Sequence, residues 1–203
     1  MAQWPDGKKR CFWANPGNPL YISYHDEEWG RPVHDDAVLF EMLILETFQA
    51  GLSWECVLNK RAAFREAFDH FDLEAVCAFD RTRIAQLMDN PAIIRNERKL
   101  AAAVGNARVF RAIRKEWGSF DAYLWHWTGK SVVHERGLTR SALSDAVARD
   151  LKARGMRFVG SVTIYAYLQA VGVIEAHEPD CFLAQELSGS GLNPAEPCRT
   201  GLS

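Results

Sequence analysis

Phe40-Glu-Met-Leu-Ile-Leu-Glu46-Thr-Phe-Gln-Ala-Gly51-Leu-Ser-Trp54 reads as a helix, a glycine stop and the start of a second helix. Phe40, Met42, Leu43, Ile44, Leu45 and Phe48 leave little polar surface on the first helix, so it is expected to be buried on most sides. Glu46 falls inside that apolar run. A carboxylate there must find a partner, take up a proton or face a cavity built to hold something. Ser53 is a good N-cap, and Trp54 opens the next helix. A buried acid near a large flat aromatic suggests a pocket for a planar, polar or cationic ligand. The alternative is a Glu on a narrow stripe facing water.

The pattern around this stretch is helical throughout. Asp35 and Asp36 supply its N-cap and first-turn acid. Trp54, Val57, Leu58, Phe64 and Phe68 predict one helix reaching about Phe71-Asp72. Asp72 caps a short one, and Asp80 or Thr82 caps another carrying Ile84, Leu87 and Met88. Asn90-Pro91 is expected to begin a long helix that runs to Trp117. Ser119 caps the next, to about Trp127. Residues 128–143 look polar and irregular. Ser144 is expected to cap a helix that Gly155 ends, and a last helix spans about Ser161 to Gly172. No alternation of period two appears, so about eight helical segments make an all-α protein.

The 203 residues allow one large domain or two small interlocked ones. We expect a single unit over 1–182, with two interleaved helical lobes and a clasped N-terminal segment 1–34, and a flexible tail over 183–203. Lys+Arg 24 against Asp+Glu 26 gives no global basic signal, so any nucleic-acid surface must be a local patch. No run of 18 apolar residues exists and no secretory signal is seen, so neither membrane nor export is expected. Five Cys argue against a disulfide framework and for the cytoplasm.

Two further constellations carry chemistry. Residues 1–34 are rich in Pro and Gly yet hold Trp4, Cys11, Trp13, Tyr21, Tyr24, His25 and Trp29. Ordering such a segment costs about 1–2 kcal/mol per residue, so something must pin it. Cys11 and His25, with His177 and Cys181 after the last helix, make a full tetrahedral set for a structural Zn²⁺. The alternative is four unrelated residues, with His177 on the surface and Cys11 buried. Cys56 and Cys77 suit core thiols, and Cys198 is a spare. The second constellation is Arg154-Gly-Met-Arg-Phe158-Val-Gly160, a glycine-bounded turn between helices. Gly155 and Gly160 would permit a turn whose backbone N–H groups face a phosphate, with Phe158 and Val159 packed inward and Arg157 adding charge. An ordinary helix corner also uses Gly.

Together these residues resemble the type I 3-methyladenine DNA glycosylases. The resemblance runs from Cys11 to Cys181. It rests on Pro19-Leu-Tyr21-Ile-Ser-Tyr24-His25-Asp-Glu-Glu-Trp29-Gly, Leu45-Glu46-Thr-Phe-Gln-Ala-Gly51-Leu-Ser-Trp54, Ile93-Ile-Arg95-Asn, Gly105-Asn-Ala-Arg108, the glycine-bounded turn, and His177-x₃-Cys181. It implies an all-α helix-hairpin-helix fold and one structural zinc held by Cys11, His25, His177 and Cys181. It implies a pocket where Glu46 hydrogen-bonds the methylated base while Tyr24 and Trp54 flank it, with Trp13, Tyr21 and Trp29 nearby. The implied substrate is alkylated double-stranded DNA, the product free 3-methyladenine, and the enzyme a monomer. No catalytic Asp is expected past the hairpin. The run Leu124-Trp-His-Trp127-Thr and the long tail depart from the family pattern.

Two other readings compete. A DNA-binding scaffold would need the hairpin and metal but no acid-lined pocket. A zinc deaminase would need His-x-Glu with Pro-Cys-x-x-Cys, which is absent, and an open metal position.

Overall fold

A computed structural model describes residue 4 and residues 6–184. Among these, ten α-helices dominate. They are α1 (Pro19–Ser23), α2 (Asp36–Gln49), α3 (Trp54–Leu58), α4 (Arg61–Ala67), α5 (Leu73–Ala78), α6 (Arg81–Asp89), α7 (Glu97–Trp117), α8 (Phe120–His126), α9 (Ala142–Ala153) and α10 (Ser161–Ala170). The mostly helical fold class is as expected. One contiguous apolar core draws on nearly every element.

The centre is α2. Asp35 Oδ1 accepts from Ala37 N at 2.7 Å and from Val38 N at 3.1 Å, which starts the helix. Every residue from Leu39 to Phe48 is buried. Helices α3, α7, α8 and α10 pack around it. Its Glu41 is satisfied by Arg61 at 2.6 Å and Arg65 at 2.9 Å. Glu46, one turn on, has no such partner.

Several boundaries differ from the pattern-based expectations. The helix expected from Trp54 to about 71 breaks at Asn59-Lys60, where Asn59 binds Asn18 and Lys60 Nζ reaches Ala92 O. After α4 the chain passes through a tight turn, Asp69–Phe71, with all three residues at positive φ. The long helix starts at Glu97, not at Asn90-Pro91. Asn90 Oδ1 accepts from Ala92 N and closes a local turn, and Asn96 Oδ1 accepts from Lys99 N as the true cap. Helix α9 is capped by Ser141, and Ser144 is the third residue of its capping box. The last helix ends at Ala170.

Two features were not expected. Residues 128–143 contribute a strand β1 (Val133–His134) that pairs in parallel with β2 (Ile174–Glu175). Two-residue strands are too short for any alternation to show. The N-terminal segment is also more regular than its Pro and Gly content suggested. Asn18 caps α1, and a π-helical turn, Tyr24–Glu28, follows it directly. Leu183 and Ala184, expected to open a flexible tail, are buried against the core instead; the remainder of that expectation, 185–203, lies outside the described residues. Among the described residues no helix is long and apolar enough to cross a membrane.

Candidate active site and metal clasp

Helix α2 brings Glu46 to a cavity of about 100 Å³ lined by Trp13, Tyr21, Tyr24, Trp29, Glu46, Gln49, Trp54, Ala166 and Gln169. All six residues singled out for the base pocket therefore meet in one place. Tyr24 and Trp54 lie 5.2 Å apart, centroid to centroid, tilted by 44°. Trp13 sits against Tyr21 at 5.4 Å and edge-on to Trp29 at 4.8 Å. Glu46 is 2% exposed, and among the described residues neither its Oε2 nor Trp54 Nε1 has a hydrogen-bond partner. Burial pushes the Glu46 carboxyl up to about 8, with no nearby charge to offset it. The Tyr24 hydroxyl is pushed well above its usual range by burial and by Glu46. A donor and an acceptor unpartnered by protein at an aromatic cavity offer hydrogen bonds to whatever occupies it.

Gln49, Gln169 and Ala166 also line the cavity and had not been singled out. Gln49 carried a signal, since it lies three residues after Glu46 on one helix and so shares its face. Gln169 and Ala166 carried none, because only the packing of α10 on α2 brings them there.

The cavity wall continues into a second cluster. The donor atoms of Cys11, His25 and Cys181 all lie within 4.8 Å of one another. Cys181 Sγ is 3.6 Å from His25 Nε2. His177 stands beside this trio, its ring 5.5 Å from that of His25. Both imidazoles are oriented by carboxylates through Nδ1: His25 by Asp26 at 2.8 Å and His177 by Glu175 at 2.9 Å. That leaves the Nε2 of His25 to face Cys181 Sγ, with Nδ1 held by a carboxylate as in ligating histidines. His177 Nε2 is buried and has no hydrogen-bond partner. The hydrogen bond between the sulfurs of Cys11 and Cys181 lowers the Cys181 thiol, while the same contact and burial raise Cys11. Two soft sulfurs and one imidazole at this separation suit Zn²⁺, whose bond lengths put tetrahedral donors about 3.3–3.8 Å apart; His177, expected as the fourth ligand, falls outside that 4.8 Å group, although its ring adjoins that of His25. Arg10 braces the clasp, binding Asp26 at 2.6 Å and Asp6 at 2.7 Å. Trp29 contacts His177 edge-on at 4.6 Å, and Trp13 lies 5.1 Å from His25. The clasp and the cavity therefore share two indoles.

The turn between α9 and α10 is held from outside. Asn106 Nδ2 donates to Arg157 O at 2.9 Å, and Arg157 N donates to Asn106 Oδ1 at 2.8 Å. Gly155 has φ +102, a conformation that needs glycine. Two expectations about this turn need correction. Gly160 sits at φ −66, open to any residue, and the second left-handed position is Phe158, at φ +58. Phe158 is only half-buried; the side chains packed inward are Met156 and Val159. Gly155, Arg157 and Phe158 instead line an open cleft with Glu97, Arg98 and Asn106. Gly160 has no side-chain cap, so the first N–H groups of α10 keep donors unused by any cap.

Residues 13–184 match the family model described as methyladenine glycosylase. This chain belongs to the methyladenine glycosylase family. Its relatives include a DNA-3-methyladenine glycosylase of Haemophilus influenzae, 39% identical over 178 residues and covering 85% of this chain and 96% of the relative. DNA-3-methyladenine glycosylase 1 of Escherichia coli is 37% identical, covering 85% and 95%. A crystal structure of 3-methyladenine DNA glycosylase I superposes with a TM-score of 0.83 at 38% identity, covering 86% of this chain and 98% of that one. Another, a variant enzyme in complex with 3-methyladenine, gives 0.81 at 34% identity, covering 85% and 95%. In this family member the aromatic cavity, the clasp and the turn all fall within the matched span or just before it.

Proposed function

We infer that this chain excises 3-methyladenine from alkylated double-stranded DNA by hydrolysing the bond between base and deoxyribose. The observation that carries the reading is Glu46: an acid with an unpartnered oxygen, buried in an aromatic cavity. A DNA-binding scaffold has no use for such a group.

Methylation at N3 leaves the purine cationic and weakens its bond to C1′. The enzyme first extracts the base from the stack, at a cost of a few kcal/mol that damage reduces. Tyr24 and Trp54 flank the ring, and Trp13, Tyr21 and Trp29 close the cavity around it. Electron-rich faces favour the cation over a neutral purine by about 0.5–2 kcal/mol. Glu46, brought back to its carboxylate by the arriving positive charge, accepts hydrogen bonds from the base. The N9–C1′ bond then breaks, its electron pair goes to the ring, and neutral 3-methyladenine departs. Water adds to C1′ and loses a proton, leaving an abasic sugar.

The reading assigns one Zn²⁺ to Cys11, His25, His177 and Cys181, where it would supply a crosslink between chain ends and no chemistry. It treats α9, the turn and α10 as a helix-hairpin-helix element. Gly155, Phe158, Val159 and Gly160 shape its backbone and Arg157 adds charge, holding a DNA phosphate without reading sequence. One copy of the chain supplies all these groups, so the reading needs no second subunit. The free thiols of Cys56 and Cys77 suit a reducing cytoplasm. The test is release of base from N3-methylated duplex DNA, with the base identified by mass. Release of no purine, or of unmethylated adenine at an equal rate, would sink it.

A further inference from the structure

Lys99 is the one lysine among the buried charged side chains of the described residues, 7% exposed. It lies on α7, far from both ends of the chain, and no acid among the described residues pairs with it. Its Nζ instead donates to two backbone carbonyls at the end of α2: Phe48 O at 2.7 Å and Ala50 O at 2.6 Å. Those carbonyls belong to the last turn, which has no intrahelical donors left to satisfy them. A cation there also meets the negative end of the helix dipole. The same Nζ stands 6.0 Å from the ring of Phe158, in the turn between α9 and α10.

Seven residues further along α7 comes Asn106, with its two hydrogen bonds to the Arg157 backbone. Seven residues make about two turns, so Lys99 and Asn106 lie on one face of α7, about 10 Å apart along its axis. One face of one helix thus grips both the end of the cavity helix and the turn that faces the DNA. Gln49, which lines the cavity, sits between the two carbonyls that Lys99 holds. The loop after it, Gly51 and Leu52, borders a depression adjoining the cavity.

We propose that Lys99 is a positioning residue that fixes the mouth of the base cavity relative to the DNA-gripping turn. The inference rests on the glycosylase reading. A rigid spacing between backbone grip and cavity lets an extruded nucleotide arrive in register. Losing it leaves the cavity walls in place but misaims the substrate.

The experiment compares the parental chain with Lys99→Met, which keeps the stem but not the charge, and with Lys99→Arg, which keeps cation and donors. Three quantities are read: single-turnover release of base from N3-methylated duplex, KM on the same duplex, and affinity for free 3-methyladenine by indole fluorescence. Lys99→Met is expected to bind free base within about twofold of the parental chain. Its kcat should fall by roughly tenfold or more with KM less affected, the signature of misplacement. Lys99→Arg should recover most of that loss. A merely structural role would lower base binding and excision together, and that result overturns the proposal. So does parental excision by a folded Lys99→Met. If Lys99→Met does not fold, Lys99→Gln carries the same comparison, and failure of both to fold makes Lys99 a folding residue and ends the proposal. No release by the parental chain overturns the glycosylase reading and this inference with it. Release by the parental chain and equal release by the variants overturns this inference alone.

Discussion

Replacing Glu46 with Gln separates what this acid does for the empty protein from what it does for the reaction. In the empty cavity the carboxyl is pushed up to about 8 by burial, from an ordinary value of 4.5. A group whose folded value is raised supports the fold fully below its unfolded value and loses that support as pH climbs toward the folded one. The window is therefore pH 4.5 to 8. At pH 7 the acid has crossed two and a half units of it, at about 1.4 kcal/mol per unit, so it destabilises the empty chain by about 3 kcal/mol relative to acid conditions. Glu46→Gln removes the ionisation. The variant should be more stable than the parent at pH 7 by up to about 3 kcal/mol, roughly 6–12 °C in thermal midpoint for a chain of this size. The gain should vanish near pH 4.5. Excision should move the other way. The free protein must give up its proton before the carboxylate can meet a cationic base, so kcat/KM of the parent should rise with pH toward a plateau above about 8. In Glu46→Gln that limb should be absent and the rate low throughout. Melting curves and single-turnover base release from pH 5 to 9 measure both effects. A variant no more stable than the parent at pH 7, or one that keeps the same pH limb, would refute the argument.

Three further outcomes follow from the geometry. The purified chain should hold one zinc by elemental analysis, and a strong chelator should destabilise it by several kcal/mol, lowering the thermal midpoint by roughly 10 °C or more; an unchanged midpoint after complete metal removal would contradict the clasp. Gly30→Ala should cut metal affinity by about tenfold or more, because an added Cβ would stand 2.6 Å from His177 Cε1 at a backbone φ of +76; competition with a chromogenic chelator reads this, and parental affinity would show that the ring has room to yield. Asn106→Ala should cost about 1–3 kcal/mol through the unpaired Arg157 backbone and weaken duplex binding while leaving free-base affinity intact; equal loss of both would mean that the turn and the cavity are not separate.

Much of this site was legible before any coordinates. Glu46 stood out because a carboxylate in an apolar helix demands an explanation, and the meeting of Cys11, His25 and Cys181 because a Pro-rich, aromatic-rich segment demands an anchor. Helix boundaries were readable where a Ser, Asn or Asp cap preceded a clean apolar period, as at Asp35, Asp72 and Ser119. They were misplaced where two cap residues competed, as at Ser141 and Ser144, or where Asn90-Pro91 imitated a helix start while closing a turn. The break at Asn59-Lys60 is invisible in the sequence because its causes, Asn18 and Ala92, are 41 and 32 residues away. The clamps of Lys99 and Asn106 were hidden for the same reason. Each side chain reads as an ordinary polar position until its distant backbone partner is placed.

The π-helical turn Tyr24–Glu28 has a consequence for how this protein can change. It closes with Trp29 N donating to Tyr24 O at 2.9 Å, one residue wider than an α-turn. Within it, neighbours in sequence face different places: Tyr24 lines the aromatic cavity and His25 joins Cys11 and Cys181. Deleting one residue here would tighten the coil and swing everything before it by about 100°. Tyr24 and His25 would then both leave the directions that set them in the cavity and in the cluster with Cys11 and Cys181. A one-residue deletion in this turn therefore disturbs the cavity and the Cys11–His25–Cys181 cluster together, whereas a substitution in place can change either one alone.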